Sequence, residues 1–203
     1  MVQYKKDEIK QRIDTAALIV FAEKGYRGTK ISDIGETAGV SVGNIYTYYK
    51  GKEEIFYSIM PEDLLDTFKS LLMDKISALK VKNNLHLDQF WLINNEVIEF
   101  MVGNRERILI LLKKNQGTKY EHAKKDLIGF LLGFIKDNYT VAESNILSTS
   151  KSDLVIVIIY ENLINTILNI LELTKDLNEV REYLNIVNSY HLFGIMSLFR
   201  QKH

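Results

Sequence analysis

Between residues 41 and 52 the chain reads SVGNIYTYYKGK, and the side chains of Asn44, Tyr46, Thr47 and Tyr48 carry groups suited to a nucleic-acid groove. An amide such as that of Asn44 can pair with adenine through two hydrogen bonds, and the methyl of Thr47 can touch a thymine methyl. Each tyrosine offers a ring that packs and a hydroxyl that reaches phosphate. Tyr48 is the one expected to be exposed, because Ile45 and Tyr49 fall on the core-facing side. Ahead of them, the backbone N–H groups of Val42 and Gly43 open a helix and lack intrahelical acceptors, an arrangement that suits a phosphate oxygen. Thr29 and Lys30 before this segment, and Lys52 after it, are expected to clamp phosphates on either side. Tyr4, Lys5 and Lys6 can add an arm against the backbone. No arginine lies within 42–49, so the commonest guanine contact is missing and an A·T-rich half-site is expected.

These groups need two short helices to hold them. Thr29 is placed to cap one, with Asp33 in its first turn, and Ser41 to cap the next, which runs from Val42 to about Tyr49. Gly39 falls in the turn, where a left-handed conformation favours glycine. Ile34, Ala38, Val40 and Ile45 supply a small apolar core, and Gly35 sits where the helices approach most closely. A preceding helix presents Ile9, Ile13, Ala16, Ala17, Val20 and Phe21 at spacings of three and four, and Gly25 is its expected stop. A helical hairpin of another all-α protein would share the apolar frame. The residues around the frame narrow the choice.

From Ile13 to Ile55, about a fifth of the chain, the sequence resembles the TetR/AcrR family of bacterial transcription regulators. The likeness is carried by AA at 16–17, FAEKGY at 21–26, Thr29, Ser32-Asp33-Ile34, AGVS at 38–41, Gly43, Ile45-Tyr46, Tyr48-Tyr49 and Lys52-Glu53. Gly35 stands where the family usually has alanine, and Tyr49 where it usually has phenylalanine. The resemblance implies a helix-turn-helix DNA-binding domain at 1–52 and an effector-binding and dimerisation helical domain at 53–203. It also implies a homodimer that meets operator DNA on a twofold axis and a small-molecule effector held in the larger part.

Composition agrees with that division. The 203 residues are 46% apolar and 26% charged with zero formal net charge, so any nucleic-acid contact must be local. Residues 1–52 hold nine basic and six acidic side chains, leaving +3 on the segment that needs it and −3 on the remainder. The N-terminus is too charged for a signal peptide. Absence of cysteine excludes disulfides and thiolate chemistry, and the scattered histidines His86, His122, His191 and His203 lack metal-ligand spacing. GVSVGN at 39–44 lacks the lysine and spacing of a phosphate-binding loop. Neither an enzyme nor a metal or cofactor is expected.

Beyond Lys52 the prevailing apolar spacing predicts further helices, giving an all-α chain of about nine. A fourth helix should run toward Leu79, interrupted or kinked at Pro61, which is expected to be either a hinge or a simple kink or helix boundary. Others are expected near 86–102, 104–115, 119–139, 152–174 and 177–201. Phe90, Trp91, Phe100, Phe130, Phe134 and Tyr160 can line an apolar effector cavity, with Asn94, Glu161 and Asn165 as polar contacts; ordinary core packing is the plainer role for any one aromatic. Leu154–Leu173 is long enough to span a bilayer, yet Glu161, Asn162, Asn165 and Asn169 would be costly there, so a buried or interface helix and a cytoplasmic protein are expected. The competing reading is a helical small-molecule sensor or membrane-associated adaptor that does not act through DNA.

Overall fold

A computed structural model of the chain describes residues 2–80, 93–141, 150–196 and 199–201. The described residues form ten helices: α1 (Val2–Gly28), α2 (Ile31–Ala38), α3 (Val42–Ile45), α4 (Lys52–Ile59), α5 (Leu64–Lys80), α6 (Asn95–Gly103), α7 (Arg105–Lys113), α8 (Ala123–Asn138), α9 (Ser150–Leu173) and α10 (Leu177–Met196). The all-α class expected from the spacing holds. Two three-residue strands, β1 (Tyr139–Val141) and β2 (Phe199–Gln201), pair antiparallel with Thr140 opposite Arg200. They replace the expected helical ends at 139 and 201, where aromatic and β-branched residues favour extended backbone.

By packing, the chain divides into two compact units, Met1–Leu64 with Glu106–Ala123, and Leu65–Arg105 with Lys124–His203. The packing boundary thus lies beyond the expected division at 52/53, because α4 buries Ile55, Phe56 and Ile59 within the first unit. Pro61 does more than kink the fourth helix. It separates α4 from α5 outright, since it cannot donate an intrahelical hydrogen bond, and α5 restarts with the Leu64 N–H on the Pro61 carbonyl.

In the first unit α1 buries Ile13, Ala16, Ala17, Val20 and Phe21 along one stripe, the spacing of three and four read from the sequence. Gly25 breaks the helical path with φ 73°, three residues before the end of α1. Around it an aromatic cluster closes the unit: Phe56 lies 5.3 Å from Phe21, 5.0 Å from Tyr26 and 5.3 Å from Tyr57. Here α7 docks through Arg107, whose Nε donates to the Ile59 carbonyl, and the residue after it through the Tyr26 N–H on the Lys114 carbonyl. Asn115 is buried and its side-chain amide donates to the Leu111 and Tyr120 carbonyls, which fixes 115–120 as a turn and delays α8 to Ala123 rather than 119.

Gly39 ends α2 with φ 66° and ψ 37°, the left-handed conformation expected of the turn. A side chain in that conformation costs about 1–2 kcal/mol, and a Cβ would also meet the Arg12 guanidinium at 2.9 Å. Gly39→Ala is therefore expected to lower stability by that amount, measured as a shift in the urea midpoint.

In the second unit the Asn94 side chain caps α6, accepting from the Val97 N–H at 3.0 Å. Arg181 on α10 donates to the Asn95 side chain, and the Asn188 amide to the Ile93 carbonyl. Over Leu154–Leu173, α9 is long and apolar enough to cross a membrane by length and composition, with 39% of it buried within the chain.

Candidate nucleic-acid interface

The core of the helix-turn-helix forms as its sequence demands. Ile34, Ala38, Ile45 and Tyr49 are buried, while Val40 is half-buried. A Cβ added at Gly35 would lie 2.9 Å from the Val40 carbonyl oxygen and 3.5 Å from Ile45, so the close approach is real. The Val40 N–H donates to the Gly35 carbonyl at 2.9 Å and closes the turn. Arg12 reaches from α1 to cap the far end of α2, donating to the Ala38 and Gly39 carbonyls at 2.6 and 3.2 Å. Sequence reasoning missed Arg12, because its partners lie 26 and 27 residues away and no local pattern marks them.

Ser41 caps α3 as expected, its Oγ accepting from the Asn44 N–H at 3.1 Å. The helix itself is one turn, Val42–Ile45, shorter than the expected run to Tyr49. Residues 46–48 continue as tighter turns, with the Thr47 N–H on the Asn44 carbonyl and the Tyr48 N–H on the Ile45 carbonyl. Val42 and Gly43 are exposed at its start, and a Cβ at Gly43 would meet nothing within 4 Å. This leaves the backbone open to close approach.

The tyrosines exchange the parts expected of them. Tyr46 is 54% exposed, whereas Tyr48 is only half-buried surface. Because 46–48 leave the α-helical path, the side that the sequence pattern assigned to Tyr48 belongs to Tyr46. Asn44 is half-buried, and the Thr47 hydroxyl donates to the Asn44 carbonyl at 2.7 Å. That bond occupies the hydroxyl proton of an otherwise exposed side chain.

Two expected phosphate clamps have structural roles instead. Thr29 is 2% exposed, its hydroxyl donates to the Gly25 carbonyl at 2.7 Å, and its N–H uses the same acceptor. Neither group can reach a ligand, and Lys30, not Thr29, occupies the N-cap position of α2, with no side-chain cap hydrogen bond of its own. Lys52 donates from Nζ to the Tyr26 and Thr29 carbonyls at 2.8 and 3.0 Å and lies 4.6 Å from the Tyr26 ring centroid. Its ammonium closes the end of α1 against the start of α4. Lys30 remains exposed at the mouth of α2, where its N–H donates to Asp33 Oδ2 at 2.9 Å. That bond, followed by Lys24 at 3.0 Å, holds the Asp33 carboxyl below its usual range.

The residues expected around an effector are described only in part. Phe90 and Trp91 lie outside the described residues, as does the side chain of Phe134. Asn94 is engaged as the cap of α6. Phe100 stacks on Phe68 at 5.8 Å, and Lys69 sits 5.8 Å from the Phe130 ring. Tyr160 is buried, edge-on to His191 at 5.1 Å. Glu161 is not an unpaired counter-ion: Lys124 Nζ lies 3.8 Å from its carboxylate and 3.2 Å from Asn165 Oδ1. Among the described residues no cluster of histidines and carboxylates is arranged to hold a metal.

Comparison with known proteins places this geometry. Residues 13–59 match the model of the tetR family of bacterial regulatory proteins. The chain is 41% identical over 63 residues to the fatty acid metabolism regulator protein of Bacillus subtilis, covering 31% of the chain and 32% of that protein. It is 30% identical over 105 residues to an HTH-type transcriptional regulator of the same organism, YvdT, covering 50% of the chain and 49% of that protein. The chain thus spans about a third to a half of the length of these relatives. The crystal structure of the probable transcriptional regulatory protein RHA5900 shares the fold, with a TM-score of 0.51 at 18% identity over 89% of the chain and 97% of that structure. Over its helix-turn-helix, residues 13–59, the chain is similar to the tetR family of bacterial regulatory proteins.

Proposed function

We propose that the chain is a ligand-responsive DNA-binding transcriptional regulator, a repressor that meets a palindromic operator as a homodimer in the cytoplasm and leaves it when a small, largely apolar effector binds. The observation that carries the reading is the one-turn helix Val42–Ile45, which turns Val42, Gly43, Tyr46 and Thr47 outward from a core of Ile34, Ala38, Ile45 and Tyr49. Val42 and Gly43 offer amides to phosphate, Tyr46 a ring and hydroxyl, and Thr47 its methyl to a base edge, with Asn44 beside it. Lys30 supplies the flanking positive charge.

One such element makes too few contacts for tight specific binding, and a twofold pair supplies the rest. Support for pairing comes from the second unit. On α9, Leu154, Val155 and Ile158 are exposed, and on α10 Ile186 and Tyr190 are exposed, the last at 85%. Apolar faces of this kind on a single chain suit a partner copy. An effector acts by binding the DNA-incompetent arrangement more tightly than the competent one.

The experiment is retardation of the DNA upstream of the protein's own gene, repeated across salt concentrations and then with candidate compounds. Affinity should fall linearly on logarithmic axes as salt rises, with release by one class of compound. Gly43→Glu places a carboxylate where a phosphate is to sit and should abolish retardation while leaving the thermal midpoint within a few degrees. Salt-independent binding, or full retardation by the Gly43→Glu protein, overturns the reading.

A further inference from the structure

Tyr49 closes the segment that carries Tyr46, Thr47 and Tyr48, and it is the point where that segment is tied down on both sides. Its ring is 4% exposed and packed as a core side chain. A phenolic hydroxyl taken into such a site needs a partner, and here it has several. It donates to Asp14 Oδ1 on α1. The Ser58 hydroxyl on α4 lies 3.2 Å from the Tyr49 oxygen and shares its single proton between that oxygen and the Ile55 carbonyl at 2.8 Å. Lys10 completes the set, with Nζ 2.9 Å from Asp14 Oδ2 and 5.3 Å from the Tyr49 ring centroid. Burial and then the Asp14 carboxylate hold the Tyr49 hydroxyl above its usual range, which keeps it a donor.

We infer that the Tyr49 hydroxyl is a positioning group for sequence readout: by bonding Asp14 of α1 and Ser58 of α4 it sets the orientation of Tyr46 and Thr47. The inference rests on the DNA-binding reading above. Its physical basis is the length of α3. A single four-residue turn followed by tighter turns has no helical cooperativity to hold its direction, so anchors at its ends must do so. At one end stands the Ser41 cap. At the other stands Tyr49, whose ring alone is held by packing that is not directional. The hydroxyl fixes where the far end of the ring points, because its bond to a carboxylate is directional and charge-assisted. Tyr49 contacts no ligand. It acts through the residues it aligns.

The test uses the full-length protein and Tyr49→Phe, which keeps the ring and deletes only the hydroxyl. Wild-type protein is first used to enrich a binding sequence from random 40-base-pair duplexes. Affinity for the enriched duplex and for an unselected random duplex is then measured for both proteins, well below the thermal midpoint of either. Misaligned base contacts should lower the ratio of the two affinities by about tenfold, the equivalent of one charge-assisted hydrogen bond, with random-duplex affinity unchanged. A structural role alone would depress both affinities equally and leave the ratio intact, which overturns the inference, as does an unchanged affinity for both. Ser58→Ala, which keeps the Asp14 bond, should lower the ratio by less than Tyr49→Phe; a larger loss also overturns it. Should wild-type protein enrich no sequence, the DNA-binding reading falls and takes this inference with it.

Discussion

Replacing Phe56 by alanine is expected to lower the stability of the first unit by about 3–5 kcal/mol, the cost of truncating a fully buried aromatic side chain. Phe56 is completely buried, and its ring is the one shared by Phe21, Tyr26, Tyr57 and Tyr120. Its removal leaves a cavity walled by other rings, which cannot collapse into it without abandoning their own contacts, Phe21 stacked on Tyr26 and Tyr57 edge-on to Tyr120. The Tyr26 carbonyl also accepts from Lys52, so loosening the cluster loosens the joint between α1 and α4. Amide hydrogen exchange should show lost protection across 31–49 before any change in α9. Phe56→Leu fills most of the volume and should cost less than half as much. Equal urea midpoints for wild-type and Phe56→Ala protein would show that the cluster does not hold the unit together.

The second large effect depends on pH. His191, on α10, has its ring edge-on to Tyr160 of α9 and its buried Nε2 without a hydrogen-bond partner. Burial holds its pKa down to about 4 from an ordinary 6.5. The unfolded chain therefore takes up a proton as pH falls through 6.5, while the folded chain does so only near 4. More protons on the unfolded state means that stability falls with falling pH throughout that window and is fully present above it. The largest loss this group can cause is about 3 kcal/mol, and partial exposure of the ring reduces it toward 2. His191→Phe removes the group. Between pH 7 and pH 4.5 the wild-type urea midpoint should drop further than that of His191→Phe measured at equal protein concentration. Parallel curves for the two proteins would exclude His191 as the source.

What the sequence made legible follows from the range of the interactions involved. Gly39 and Ser41 act on backbone groups within four residues, and local rules placed both the left-handed turn and the cap. Apolar spacing likewise located the buried faces of α1 and α2, since a helix presents its own periodicity whatever it packs on. Thr29 and Lys52 were misjudged for the opposite reason. Exposed polar residues beside a binding helix suit phosphate by type, but the carbonyls freed where α1 breaks at Gly25 claimed both side chains first. Lys52 and Tyr26 are 26 residues apart, beyond any local pattern. Tyr49 was the readable exception: a hydroxyl in a core position asks for a buried partner, though its sequence could not say that Asp14 would be the acceptor. In the second unit Glu161 and Asn165 were legible only as polar groups on an apolar helix, and only packing could bring Lys124 to both.

Because α3 is a single turn, the side chains that hold it and those that look away from it are different sets. Ile45 and Tyr49 point inward and Ser41 binds backbone, whereas Val42, Tyr46 and Thr47 contribute little to the frame beneath them. On the DNA-binding reading proposed above, recognition of a new target can therefore be written onto the outward set by substitution at a few positions, with the supporting architecture left untouched.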